Sequence, residues 1–413
     1  MQADGDKVYA TEDVLYVATT DFQWGWPTFG GGARVRPAPR AARTNVHRFY
    51  LTSGPVYVRY VASGSVAGTV LNQFSLHAYD GTLFVATTEG GGFRPDAPSS
   101  STVSALRPEG GGVLAVVGTV GDLGVGERIF AVRYIADMAY VVTFKRTDPL
   151  YVISLADPTA MVRVGELKIP GFSSYLHPVG PGRLLGVGQD ATAEGVATAA
   201  KVTLFSVEDP AAPVELDSWV DPAVDGATGA GGRGGISSSA AAWDHRAFLY
   251  WAPTSTAVLP LSAYGARRFV GAVVLNVGAD SLTEVGRVSH PDGSPVERTW
   301  VLGGAHLWSL SRATILVNAL KGLAQEGFLA LRASNGRVSP PFWRLPVPVG
   351  AAVAGGDGAA AVAAAAAAVG PNEPLSTGRV PRRDVDGAEG GEGDAPAETM
   401  DGGNAEVTVT PAP

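Results

Sequence analysis

Residues 132–169 contain the segments VRYIADMAYVVTF (132–144), PLYVISLADP (149–158) and MVRVGELKI (161–169). The first segment has two apolar runs on either side of a short polar turn, which predicts a β-hairpin. The other two segments are further apolar runs, and an Asp-Pro corner separates them. The whole stretch therefore predicts a unit of four short antiparallel strands.

The hairpin phrase recurs at intervals of roughly 45 to 70 residues, and such a fixed unit is the signature of a repeat architecture. Further copies occupy residues 8–20, 76–88, 176–188, 240–252 and 299–311. Six units in series predict an all-β fold, a β-propeller of about six four-stranded blades, because a single blade can bury its two apolar faces only against neighbouring blades. A β-sandwich is the alternative, but its strands need not return in the same four-part order.

The composition agrees with short strands joined by turns. The 413 residues include 54 glycines and 29 prolines, which interrupt long helices too often for a helical bundle. The chain has no cysteine, which excludes disulfides and thiolate metal sites. Its net charge of −8 argues against nucleic acid as a partner, since phosphate-backbone binding needs basic clusters.

The composition changes near residue 347, after which alanine, glycine, proline and acidic residues dominate. This part cannot bury enough apolar surface to offset the entropy lost on ordering. We therefore predict a β-propeller domain over residues 1–346 and a disordered tail over residues 347–413. No apolar run reaches the length of a membrane span, and the first residues lack the features of a signal peptide.

Three stretches carry a resemblance to a known family: residues 71–88 (LNQFSLHAYDGTLFVATT), 126–158 and 165–192 (GELKIPGFSSYLHPVGPGRLLGVGQDAT). They resemble the bacterial and archaeal family of secreted proteins with a C-terminal β-propeller domain, a family of unassigned activity. The resemblance spans about residues 5–320 and implies an extracellular or cell-envelope location. Members of that family usually carry further blades before the point that residues 5–20 resemble, so we expect this chain to be an N-terminally truncated ring.

Six residues are candidates for a binding site at the central channel or its rim: Arg133, Asp148, Tyr175, His177, Gln189 and Asp190. Each also has a structural interpretation. Tyr175 and His177 fit hydrogen bonds on an inner strand, and Asp148 fits an Asp-Pro turn. Arg133 either takes part in an ion pair with the neighbouring Glu127 or points into the channel as an anion ligand.

No motif for catalysis, nucleotide binding or metal binding is present, since the GxSxG, GxxxxGK[ST] and HExxH patterns are all missing. We therefore predict no catalytic residue, no metal site and no cofactor. The function expected is a binding or scaffold module for an unknown protein or glycan ligand. The alternative is a hydrolase or lyase with an acid/base site at the channel mouth.

Overall fold

The computed structural model describes residues 7–21, 42–51, 57–90, 99–144, 148–192, 196–222, 235–265 and 268–331. Within these ranges the regular elements are 25 β-strands and four short 3₁₀ turns, with no α-helix. The all-β prediction is thereby confirmed. The predicted disordered tail, residues 347–413, lies outside the described residues. No helix in the described ranges has the length and apolar character needed to cross a membrane.

The first three units are four-stranded antiparallel meanders, which we call blades 1 to 3, and a single parallel pairing between Ser63 and Val113 joins the last strands of blades 1 and 2 into one sheet. Blade 1 consists of β1 (Lys7–Ala10), β2 (Val14–Asp21), β3 (Arg43–Leu51) and β4 (Val58–Ala67). Blade 2 consists of β5 (Leu76–Tyr79), β6 (Thr82–Glu89), β7 (Ser100–Gly110) and β8 (Val113–Leu123). Blade 3 consists of β9 (Arg128–Ile135), β10 (Met138–Phe144), β11 (Asp148–Ser154) and β12 (Val162–Ile169). A 3₁₀ turn, η1 (Gln73–Ser75), precedes the first strand of blade 2.

Blades 4 to 6 continue the series. Blade 4 consists of β13 (Phe172–Gly180), β14 (Arg183–Ala191), β15 (Ala197–Ser206) and β16 (Val214–Val220). Blade 5 contains β17 (Ile236–Ser238), β18 (Leu249–Trp251), β19 (Thr256–Tyr264), β20 (Phe269–Val277) and β21 (Leu282–Val288). Blade 6 consists of β22 (Arg298–Leu302), β23 (His306–Leu310), β24 (Thr314–Ala319) and β25 (Gln325–Ala330). Six successive blades confirm the propeller prediction.

The prediction of a hairpin at residues 240–252 is wrong. In blade 5 the inner strand is split, because β17 and β18 both pair with β19 and the residues between them form two 3₁₀ turns, η2 (Ala240–Ala242) and η3 (His245–Ala247). Ser239 caps η2 and Asp244 caps η3, each through a side-chain oxygen that accepts a backbone N–H. Asp244, which suggested a hairpin turn, is therefore the cap of η3. A last 3₁₀ turn, η4 (Ala252–Thr254), follows β18.

The core lies between blades rather than within them. In β10, Ala139 and Val141 face the cluster shared with blade 2, whereas Tyr140 and Val142 face the cluster shared with blade 4. The second strand of the other central blades alternates in the same way. Burial on both faces explains why these strands are continuous apolar runs. In the described residues, five such clusters join the six blades in sequence order; that the chain is part of a larger ring stays a prediction.

The fourth strand of each blade carries a β-bulge at the same place. The extra residues are Val61, Val117, Val164, Leu216, Val285 and Glu326. A bulge bends the strand and increases its twist. Its recurrence in all six units shows that the repeat extends to backbone irregularities.

Two glycines that follow these bulges, Gly118 and Gly165, lie very close to the backbone of the next blade. A Cβ atom on Gly118 would overlap the carbonyl oxygen of Pro158, and one on Gly165 would overlap that of Pro210. The two prolines belong to Asp-Pro turns in which the carboxylates of Asp157 and Asp209 accept backbone N–H groups two residues ahead, each at 2.9 Å. The turns are therefore architectural, and they set the distance between neighbouring blades.

We expect Gly165→Ala to lower the free energy of unfolding by about 1–3 kcal/mol, because the added methyl group overpacks the contact with Pro210. Urea denaturation followed by circular dichroism measures the change. Gly121→Ala is the matched control, since the Cβ of that variant would meet only the Thr102 hydroxyl at an ordinary 3.5 Å. Equal urea midpoints for the two variants would contradict the role assigned to Gly165.

Candidate functional site

Two segments that interrupt the regular repeat meet in the central channel. The turn η1 leads into blade 2 and η3 leads into the second half of the inner strand of blade 5. The side-chain amide nitrogen of Gln73 lies 3.3 Å from Nε2 of His245, and the ring of Phe74 meets the His245 ring edge-on at 4.8 Å between centroids. Blades 3 and 4 separate blades 2 and 5 in the series, so this contact crosses the channel.

Local sequence explains why η1 turns inward. The Asn72 side chain accepts the backbone N–H of Phe74 at 3.0 Å, and Ser75 completes a capping box with Asn72. This reciprocal cap satisfies backbone donors at the start of the turn. It thereby holds the side chains of Gln73 and Phe74 toward the axis.

Phe74 is the centre of a cluster of rings contributed by several blades. Its ring lies 5.7 Å from the ring of Tyr175 in blade 4, and the Arg133 guanidinium of blade 3 lies 5.2 Å above it. With His245 of blade 5, Phe74 therefore contacts three blades besides its own. We call these residues, together with Gln73, the axial plug.

Tyr175 and His177 lie on the same face of β13, as predicted. The Tyr175 hydroxyl is 2.9 Å from Nδ1 of His177, within hydrogen-bond distance, and the His177 ring also packs against Phe248 at 5.1 Å. Burial and, to a lesser degree, the positive charge of Arg133 lower the pKa of His177 to about 4. Burial also raises the pKa of Tyr175. Both side chains are therefore neutral near pH 7.

Arg133 points to the axis rather than to Glu127. In the described part of the chain it forms no hydrogen bond or ion pair, and its contact is the cation–π interaction with Phe74. Glu127 instead accepts a hydrogen bond from the Thr143 hydroxyl. The expected ion pair is absent among the described residues, and a role for Arg133 as an anion ligand stays a prediction.

The other three candidates do not join Tyr175 and His177. Gln189 is in register with Phe172, four residues along β14 from the partner of His177, a separation of about 13 Å. Its amide donates to the carbonyl of Ser237 at 3.3 Å, a contact between blades 4 and 5. The backbone carbonyl of Asp190 accepts the Thr198 hydroxyl. Asp148 begins β11, two strands away from the inner strand of its blade.

A shallow depression of about 550 Å³ adjoins the axial plug. Its lining residues are Gln73, Trp243, Asp244, His245 and Arg246. The Trp243 side chain is 73 % exposed, which is unusual for the largest apolar side chain in a protein. We call this feature the axial depression.

Asp244 organises the rim of the axial depression. Its carboxylate accepts the Arg246 Nε–H at 3.0 Å and the Arg298 guanidinium of blade 6 at 2.7 Å. Burial alone would raise the pKa of Asp244, but the hydrogen bonds from Arg246 and the charges of both arginines lower it. The carboxylate is therefore ionised and holds both guanidinium groups in place.

Sequence reasoning missed the axial depression. The segment Ala242–Arg246 reads AWDHR, and the repeat pattern assigned it to a hairpin turn. Two signals in it were available. This copy of the repeat is among the loosest, and a tryptophan beside three polar residues interrupts its apolar alternation.

The described residues contain no group of three or more histidine and acidic side chains that could hold a metal ion. The clustered side chains are aromatic, imidazole, amide and guanidinium groups. Their chemistry suits ring stacking and hydrogen bonding to a polar ligand.

Comparison with known proteins places this geometry in context. The family model described as a beta propeller domain matches residues 1–323. An uncharacterised protein of Methanocaldococcus jannaschii is 42 % identical over 159 residues, which cover 38 % of this chain and 24 % of that protein. An uncharacterised protein of Archaeoglobus fulgidus is 40 % identical over 156 residues, or 38 % of this chain and 22 % of that protein. The matched region thus spans less than a quarter of the length of either relative.

Among solved structures, a europium-containing methanol dehydrogenase aligns with a TM-score of 0.40 and 10 % sequence identity. The alignment covers 82 % of this chain and 71 % of that one.

We expect acid to destabilise the fold through His177. Its pKa of about 4 in the folded chain lies below the ordinary value of 6.5, so the unfolded chain binds the extra proton more readily. The stability that this group contributes is complete above pH 6.5 and is lost as the pH falls toward 4. Between pH 7 and pH 4.5 the free energy of unfolding should therefore fall in both proteins, but by about 1–2 kcal/mol less in His177→Gln than in the parent chain. This range allows for partial exposure of the ring.

Urea denaturation at the two pH values measures this difference. His306→Gln, which replaces a histidine on β23 that is paired with Glu326, is the control and should not reduce the acid sensitivity. An equal loss of stability in the parent chain and in His177→Gln would contradict the assignment.

Proposed function

The chain belongs to the beta propeller domain family, and from that premise we propose that it is a binding module that holds a ligand in the axial depression. The observation that carries the proposal is the exposed indole of Trp243 beside the plugged channel. A large aromatic group held out in solvent is typical of a contact residue, because tryptophan dominates the energetics of many interfaces.

The polar groups around Trp243 support a binding role. Gln73 offers an amide, and Asp244 and Arg246 offer a charged acceptor and a charged donor. Asp244 holds Arg246 in a fixed geometry, so less side-chain entropy is lost when a ligand binds. The axial plug lies against the axial depression through Gln73 and His245, so the ligand would bind on the open side of these residues.

The hydrolase or lyase alternative has less support. An acid/base mechanism needs titratable groups whose pKa values suit proton transfer near the working pH. The Tyr175–His177 pair does meet at the axis, but burial moves the pKa values of both groups away from neutrality. The sequence suggested the carboxylate of Asp190 as a partner for this pair. Asp190 instead lies near the far end of β14.

We also propose, from the family resemblance alone, that the chain works outside the cell or at the cell envelope. A glycan or a surface protein is the ligand class that fits this location.

The test is binding of the full chain to microarrays of glycans and of peptides. We expect Trp243→Ala to weaken binding to any array ligand by at least about tenfold, as for a central contact residue. Tyr57→Ala is the matched control, because Tyr57 is 72 % exposed and lies at the outer edge of blade 1. Array ligands that bind both variants as tightly as the parent chain would overturn the axial depression as the binding site.

A further inference from the structure

The rim of the axial depression carries an excess of positive charge. Two guanidinium groups, those of Arg246 and Arg298, share the single carboxylate of Asp244. The carboxylate of Glu297, next to Arg298 in the sequence, is paired with Arg312 instead. One positive charge at the rim is therefore not compensated by these contacts.

A second uncompensated charge lies beneath the floor. Gln73 and His245 line the axial depression, and His245 packs on Phe74. Arg133 lies over the same Phe74 ring and has neither an ion pair nor a hydrogen bond in the described residues. The rings of Phe74 and His245 separate its charge from the axial depression, and they screen that charge less than bulk water does.

The neighbouring imidazoles neither cancel nor add to this charge at neutral pH. Burial, together with the charge of Arg133, lowers the pKa of His177. Burial also lowers the pKa of His245, where the charge of Asp244 opposes the shift and the charges of Arg246 and Arg133 add to it. The axis is therefore electropositive although the whole chain carries a net charge of −8. A local potential of this sign attracts anions to the mouth.

The shape of the axial depression restricts the kind of anion. Trp243 offers a flat apolar face in the open, and the amide of Gln73 and the guanidinium of Arg246 are planar hydrogen-bonding groups beside it. A sugar ring has one apolar face of C–H groups and an edge of hydroxyl groups, which matches this arrangement. A carboxylate on the ring would match the planar fork of a guanidinium.

We propose that the axial depression binds a carboxylate-bearing sugar unit of an acidic glycan, with the ring on Trp243 and the carboxylate at Arg246. This inference rests on the proposed function and adds the class of ligand. An acidic peptide is the competing anion. Peptide recognition uses a free strand edge, an apolar groove or pockets for side chains, and the apolar lining of the axial depression is a single indole.

The experiment is a titration of the full chain with three probes: hexagalacturonate, the neutral hexasaccharide maltohexaose, and hexaglutamate. Tryptophan fluorescence and calorimetry give the dissociation constants. We expect hexagalacturonate to bind at least about tenfold more tightly than either other probe. Raising the salt concentration from about 50 mM to about 500 mM should weaken its binding, because salt screens exposed charges.

Two variants test the contacts. Arg246→Gln should weaken hexagalacturonate binding by about fivefold or more, because it removes the fork for the carboxylate. Arg163→Gln is the matched control, since Arg163 is also an exposed arginine paired with a carboxylate, that of Glu166 on β12. It should leave the dissociation constant unchanged.

The outcomes separate the inference from the proposed function. If maltohexaose or hexaglutamate binds as tightly as hexagalacturonate and Trp243→Ala abolishes that binding, the acidic-glycan inference is overturned and the binding site stands. If hexagalacturonate binds equally to the parent chain and to Trp243→Ala, both are overturned. Failure of all three probes to bind overturns the acidic-glycan inference, and the arrays then test the binding site.

Discussion

The spacing of blades 2, 3 and 4 depends on contacts in which a backbone carbonyl of one blade enters a space that a side chain on the previous blade would fill. Gly118 and Gly165 leave this space, and Pro158 and Pro210 occupy it. Close approach of two backbones permits only glycine at such a position. In blade 4 the equivalent residue is Asp217, whose carboxylate accepts the backbone N–H of Leu282 at 2.7 Å. The junction of blades 4 and 5 therefore uses a side-chain hydrogen bond where the two earlier junctions use a glycine.

The fold could be predicted because its determinants are local and repeated. The segment at residues 132–169 shows its strands and turns without reference to the rest of the chain, and the structure contains those strands. Blade 5 could not be predicted in the same way. A turn cap and a hairpin turn use the same small polar residues, so Asp244 fits either until its partners are known.

The site was predicted only in part, for a similar reason. Tyr175 and His177 are two residues apart on one strand, and strand periodicity places them on one face. Gln73 and His245 are 172 residues apart, and only the arrangement of blades around the channel brings them together. Gln189 lies near the end of the neighbouring strand, β14, and antiparallel pairing places it opposite Phe172, away from His177. Separation in sequence and the direction of the strands thus decided which candidates met.

The contact between Gln73 and His245 has a mechanical meaning. The apolar clusters join each blade to the next one in the series, whereas this contact joins blade 2 to blade 5. Blades 2 and 5 therefore cannot move apart without breaking this contact. A ligand that contacts both residues would stabilise their contact, so binding in the axial depression would make blades 2 to 5 more rigid.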